Sequence, residues 1–136
     1  MATVQVRYIV HDVDAAIEFY TGLLGFTLDM HPAPPFAMLS RGDLRLVLSQ
    51  PNAGPGGGGQ TLADGRVPAP GGWNRFAIEV EDLAGMVERL RAEGAWLRGD
   101  IITGVGGKQA IVDDPSGNPV ELFQPLVAEA RLERRG

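Results

Sequence analysis

The sequence predicts an α+β fold: two tandem βαβββ modules forming a curved mixed sheet around a cup-shaped cavity. Three observations carry that reading. Residues Gln5 to Pro51 and Arg75 to Pro125 follow one pattern of elements, and a repeat of that length makes positions in one half equivalent to positions in the other. Each copy runs from an alternating apolar strand to an acidic helix start, a helix, a glycine and three short strands, and closes on Gln-Pro. The composition is that of an ordinary globular chain, with 44% hydrophobic and 21% charged residues over 136 positions, enough for one domain with a sizeable core.

In the first module the strand covers about residues 3 to 10. Val4, Val6, Tyr8 and Val10 form its apolar face, and Gln5, Arg7 and Ile9 the other. A helix is expected from about Asp14 to Leu24, because Ala15, Ala16, Phe19, Tyr20, Leu23 and Leu24 recur at helical spacing. Asp12 or Asp14 can cap its start, and Gly25 ends it. Strands near 25–30, 36–41 and 44–50 follow, with a hairpin turn at Arg41-Gly42-Asp43. In the last of them Leu44, Leu46 and Leu48 face the helix, while Arg45, Val47 and Ser49 face away.

Module one is thus residues 1–50, and the segment 51–72 breaks all periodicity. Eight of its residues are glycine and four are proline, so it reads as a linker or mobile loop. Its Gly54-Pro55-Gly56-Gly57-Gly58-Gly59-Gln60-Thr61 stretch nearly spells a phosphate-binding loop. Gln60 stands where that motif needs lysine, and no helix start follows, so a flexible lid or spacer is the better reading. Module two, residues 73–125, repeats the order. Phe76, Ile78 and Val80 face the core, and Trp73, Arg75, Ala77 and Glu79 face away. Helix 83–93 carries Leu83, Met86, Val87 and Leu90 and ends at Gly94. Strands near 95–102, 108–113 and 119–124 follow, the last two joined by a tight turn at Asp114-Pro115-Ser116-Gly117-Asn118. Trp96 reads as core or interface. The charged tail, 126–136, is expected to be frayed or a short helix.

Composition also excludes function classes. There is no cysteine, hence no disulfide, no thiolate chemistry and no cysteine-type zinc site, and a reducing cytoplasm is the expected location. No apolar run approaches the roughly 20 residues of a membrane span, and Met1-Ala2-Thr3 carries no basic leader. Twelve basic residues against seventeen acidic give a net charge of −5, which repels a phosphate backbone, so nucleic acid is not an expected partner. Ser40, Ser49 and Ser116 lie in no nucleophile elbow and beside no suitable histidine.

Two stretches carry a resemblance. Asp12-Val13-Asp14-Ala15-Ala16-Ile17-Glu18-Phe19-Tyr20 with Leu24-Gly25-Phe26, and Asp114-Pro115-Ser116-Gly117-Asn118-Pro119-Val120-Glu121-Leu122, resemble the vicinal oxygen chelate superfamily, also called glyoxalase/bleomycin resistance/dioxygenase proteins. The resemblance covers nearly the whole chain. It says little about the reaction, because this family holds lyases, isomerases, dioxygenases and drug-binding proteins. It implies that metal enzymes of the family would place ligands at Gln5, Val47, Arg75 and Glu121. Glu121 suits that role and Gln5 is acceptable. Val47 has no donor atom, and Arg75 brings a positive charge to a cation position. His11, at a strand–helix junction, and His31, in a Pro-rich bend, do not complete the set. No metal, cofactor or catalytic residue is therefore expected. Arg75 is expected to pair with Glu121 instead, and a carboxylate paired with arginine makes a poor base.

The expected ligand-binding residues are Gln5, Arg7, Phe36, Met38, Arg45, Trp73, Arg75, Glu121 and Phe123, with Ser49 and Glu79 also facing the cup. This mixture of cationic, polar and aromatic groups suits a planar aromatic molecule with hydrogen-bonding groups. By analogy with family members that lost the metal, the expectation is a homodimeric protein of the metal-free, binding branch. It would sequester an aromatic natural product or antibiotic. The alternative is a metal-dependent lyase, isomerase or dioxygenase built on Gln5 and Glu121. A further option is a metal-free enzyme using Glu121 or Glu79 as acid or base.

Overall fold

The structure, a computed structural model, describes residues 4–53 and 58–132. The chain forms two compact units, Met1–Gly72 with Pro115–Asn118, and Trp73–Asp114 with Pro119–Gly136. Thr3 of the first expected strand, the Gly54-Pro55-Gly56-Gly57 part of the glycine-rich loop and the last residues of the tail lie outside the described residues.

Unit one begins with β1 (Val4–Ile9) and α1 (Val13–Leu23), followed by β2 (Thr27–Ala33), β3 (Phe36–Arg41) and β4 (Leu44–Ser49). The sheet order is β1-β4-β3-β2, with β1 parallel to β4 and the other neighbours antiparallel. Tyr8, Ala37, Leu39, Leu46 and Leu48 are buried on the helix side, where they meet Ala16, Phe19 and Tyr20 of α1. Tyr20 packs edge-on against Phe19 and Phe26, with ring centroids 5.1 and 5.4 Å apart, the arrangement that aromatic quadrupoles favour. The strand expected at 25–30 runs later, over Thr27–Ala33, and loses regular register between Met30 and Ala33. Pro32 removes a backbone donor there, which an edge strand tolerates.

Unit two contains β5 (Ala77–Glu79), α2 (Leu83–Ala92), β6 (Trp96–Leu97), β7 (Ile102–Thr103), β8 (Gly107–Asp113) and β9 (Pro119–Pro125). The order is β5-β9-β8-β6, with β7 also pairing β8 and β5 parallel to β9. Ile78, Ala110, Val112, Val120 and Leu122 are buried with Leu83, Val87 and Leu90 of α2. The single strand expected over 95–102 is two short pieces. The chain turns out of the sheet between them, where Gly99 takes a positive φ of 86° and donates to Leu97 O. Trp96 is not core: it is 70% exposed. Leu97, opposite Val112, takes the helix-facing place, which turns Trp96 to the other side of the sheet. The tail forms one 3₁₀ turn, Ala128–Ala130.

The repeat extends to individual hydrogen bonds. Asp12 Oδ1 accepts from Ala15 N and caps α1, and Asp82 Oδ1 accepts from Gly85 N and caps α2. The closing glutamine of each half reaches the same first turn: Gln50 Oε1 accepts from Val13 N at 3.1 Å, and Gln124 Oε1 from Leu83 N at 2.9 Å. Each first strand exits alike, with Val10 N donating to Ser49 O and Val80 N to Phe123 O. The aspartate and glutamine bonds satisfy helix N-terminal donors that would otherwise lack partners. No helix among the described residues is long and apolar enough to cross a membrane.

Candidate functional site

The two sheets each present a face turned away from their helix. In unit one that face carries Phe36, Met38 and Ser40 from β3, Val47 and Ser49 from β4, and Gln5 and Arg7 from β1. Val47 lies between Arg7 and Met38, and Ser49 between Ile9 and Phe36. Both Val47 and Ser49 are fully buried, so Ser49 is withdrawn from any ligand. Arg45 is already engaged. Its Nε is 3.2 Å from Asp29 Oδ2, and its Nη1 donates to Met38 Sδ. Ser40 Oγ donates to the other oxygen, Asp29 Oδ1. The Arg45–Asp29 contact is a charge pairing without hydrogen-bond alignment, since Nε is buried with no well-directed acceptor. Gln5 and Arg7 are exposed.

Part of the glycine-rich segment is tied to this unit. Gly59 N donates to Ala53 O, Gly59 O accepts from Asn52 N, and Ala53 N donates to Gln50 O. A Cβ at Gly59 would collide with Gln50 O, and one at Gly58, whose φ is +81°, with the Arg7 guanidinium. Glycine is required at position 59 by the close backbone approach, and at position 58 it is favoured by the positive φ, since the exposed Arg7 side chain can move aside. The Asp114–Asn118 turn also does more than join two strands. Asn118 Nδ2 donates to Ile9 O at 2.7 Å, its Oδ1 accepts from Gly71 N at 2.8 Å, and Ser116 Oγ accepts from His11 N.

The corresponding face of unit two is the candidate site. β9 contributes Glu121 and Phe123, opposite Ala77 and Glu79 of β5 and opposite Ile111 and Gln109 of β8. Arg75 Nε and Nη2 both reach Glu121 Oε1, at 3.0 and 2.9 Å, and Arg75 Nη1 donates to Trp73 O at 3.1 Å. A second pair lies on the same face. Arg98 Nε donates to Asp113 Oδ1 at 2.6 Å, and both side chains are largely buried, at 17% and 16% exposure. The Arg98 guanidinium stacks on Trp73, with Cζ 4.6 Å from the ring centroid. Trp73 nevertheless remains 67% exposed. Phe123 rests on Gly107, where a Cβ would come within 2.8 Å of the ring. Glu79 is occupied by the tail: Oε1 accepts from Leu132 N at 2.9 Å, and Oε2 lies 3.7 Å from Arg131 Nη1.

The structure therefore joins Trp73, Arg75 and Glu121 in one cluster, with Phe123 farther along β9, and places Gln5, Arg7, Phe36, Met38 and Arg45 on the unit-one face. Sequence reasoning missed Arg98 and Asp113. Nothing local in the sequence indicated that Arg98 would cross to Asp113 and to Trp73.

The four family ligand positions do not fit a divalent cation. Val47 offers only hydrocarbon, Arg75 is a fixed cation, and Glu121 already holds two guanidinium nitrogens on one oxygen. Among the described residues, no three His, Cys, Asp or Glu side chains converge as metal ligands.

The sequence profile described as Glyoxalase/Bleomycin resistance protein/Dioxygenase superfamily matches residues 3–122. The chain belongs to that superfamily. No curated protein matches it significantly. Among solved structures, it is similar to lactoylglutathione lyase from Agrobacterium tumefaciens, with 21% identity and a TM-score of 0.67 over 90% of this chain and 92% of that one. It is similar to a glyoxalase/bleomycin resistance protein/dioxygenase from Nocardioides, with 23% identity and a TM-score of 0.68 over 100% and 90%. Both likenesses are those of the fold. It is also similar to TnmS3, an antibiotic binding protein from Streptomyces sp. CB03234, with 25% identity and a TM-score of 0.64 over 92% and 97%.

Proposed function

We propose that this chain is a metal-free, homodimeric binding protein that reversibly sequesters a planar aromatic small molecule, of the antibiotic or natural-product kind, on the open face of unit two. One observation carries the reading. Trp73 is two-thirds exposed yet held in place, its carbonyl by Arg75 and its ring by Arg98. A large, ordered indole left open to solvent is a stacking surface whose ordering cost is met before a ligand arrives. Behind it stands Glu121, linked to it through Arg75, and Phe123 offers a second aromatic surface farther along β9. The likeness to TnmS3, itself an antibiotic binding protein, supports the same class of ligand. Dimerisation is supported by exposed apolar side chains at the β6–β7 edge, Trp96, Ile102 and Val105.

The test is tryptophan fluorescence across a panel of aromatic antibiotics, for wild type and Trp73→Ala. Saturable quenching by at least one compound, abolished in Trp73→Ala, is expected. Quenching by none of them, or equal quenching of both proteins, overturns the reading. Elemental analysis of protein purified without chelators covers the enzyme alternative: a stoichiometric metal that disappears in Glu121→Ala would also overturn it. Light scattering after size-exclusion chromatography measures the dimer.

A further inference from the structure

Two ion pairs converge on one tryptophan. Arg75, fixed on Glu121 Oε1, holds the main chain of Trp73 through its carbonyl. Arg98, fixed on Asp113 Oδ1, holds the plane of its indole. A guanidinium without a partner would keep its own rotamer freedom and transmit little order to the ring. Anchored on a carboxylate, it acts as a rigid planar shelf.

Building on the proposed function, we infer that Glu121 and Asp113 are positioning residues. Through Arg75 and Arg98 they hold Trp73 as a preorganised platform for an uncharged planar aromatic ligand. The charge of the ligand follows from the pairing. Each arginine is paired with a carboxylate, so the charge of both guanidiniums is already balanced within the cluster. An aromatic carboxylate would meet guanidiniums whose charge is already balanced and would sit beside Glu121 and Asp113, whose like charge opposes it. A neutral ring loses nothing by stacking. Glu121, at a family ligand position, is thereby reassigned from a metal to the support of an aromatic surface.

Trp96→Phe leaves Trp73 as the only tryptophan, since the chain has two. In that background, time-resolved fluorescence anisotropy reports local motion of Trp73 in the free protein. Asp113→Asn and Arg98→Lys are expected to lower the docked-to-undocked ratio of the indole about two- to fivefold, the size of an exposed cation–π contact. Glu121→Gln should loosen Trp73 in the same direction, and Asp113→Glu should restore the wild-type decay. Arg98→Lys keeps the charge and the ion pair, so it separates loss of stacking from a general failure to fold. The ligand probes are 2-(hydroxymethyl)anthraquinone, which is neutral, and anthraquinone-2-carboxylate. The neutral quinone should bind wild type more tightly, and Asp113→Asn should shift the preference towards the anion.

Unchanged local motion in both Asp113→Asn and Glu121→Gln overturns the clamp even if the neutral quinone binds. A wild-type preference for the carboxylate overturns the assignment of an uncharged ligand. If wild type binds neither quinone nor any member of the antibiotic panel, the proposed function falls, and the anisotropy still decides the clamp by itself.

Discussion

Replacing Asn118 with alanine tests whether the Asp114–Asn118 turn holds unit one together. Asn118 is 4% exposed. Its amide donates to Ile9 O at 2.7 Å and accepts from Gly71 N at 2.8 Å. Alanine removes both bonds, and the two losses differ. Gly71 is exposed, so water can replace its acceptor, and that loss is worth about 1 kcal/mol. Ile9 is half-buried at the end of β1, and stranding its carbonyl costs about 1–3 kcal/mol. The sum, about 2–4 kcal/mol, is a large part of the roughly 5–15 kcal/mol that stabilises a typical domain. Equilibrium urea unfolding measures it. Asn118→Asp sharpens the test: aspartate keeps an acceptor for Gly71 N but sets a carboxylate against the Ile9 carbonyl, so it should cost at least as much as alanine. A loss below about 0.5 kcal/mol for Asn118→Ala would refute the argument, because it would mean that neither backbone group depends on the Asn118 amide.

Gly107→Ala should destabilise by about 1–3 kcal/mol, because the new methyl would sit 2.5 Å from Gln124 O and 2.8 Å from the Phe123 ring; a neutral result in thermal unfolding would mean that Phe123 does not rest there. Gln50→Ala and Gln124→Ala should each cost about 1 kcal/mol by stranding the first-turn N–H of Val13 and Leu83. Their costs should agree within about a factor of two if the repeat is energetic as well as geometric, and denaturant titrations of both variants check that.

Much of the fold was legible because its signals are local. Leucine alternation in Leu44–Ser49 set the helix-facing side of β4, and Asp12 and Asp82 marked helix starts within one turn of where they fall. Of the two readings of Trp96, core fails because a two-residue strand is too short for alternation to register, and its pairing with Asp113 turns it outward. The Arg75–Glu121 pair was legible because the repeat aligned their strands. Arg98 was not legible from the repeat because the pair at the matching register of the first module, Asp29 and Ser40, has different side-chain chemistry and carries no arginine.

The sequence by itself determined the order of elements, their caps and the absence of donor chemistry at Val47 and Arg75, since periodicity, capping and side-chain type depend on neighbours along the chain. Only the tertiary structure decided that Trp73 would lie between two anchored arginines, and that Asn118 would meet Ile9 and Gly71. Apart from the local Arg75–Trp73 bond, those contacts join residues far apart in sequence, and strand register, fixed by long-range backbone pairing, sets which side chains stand opposite one another.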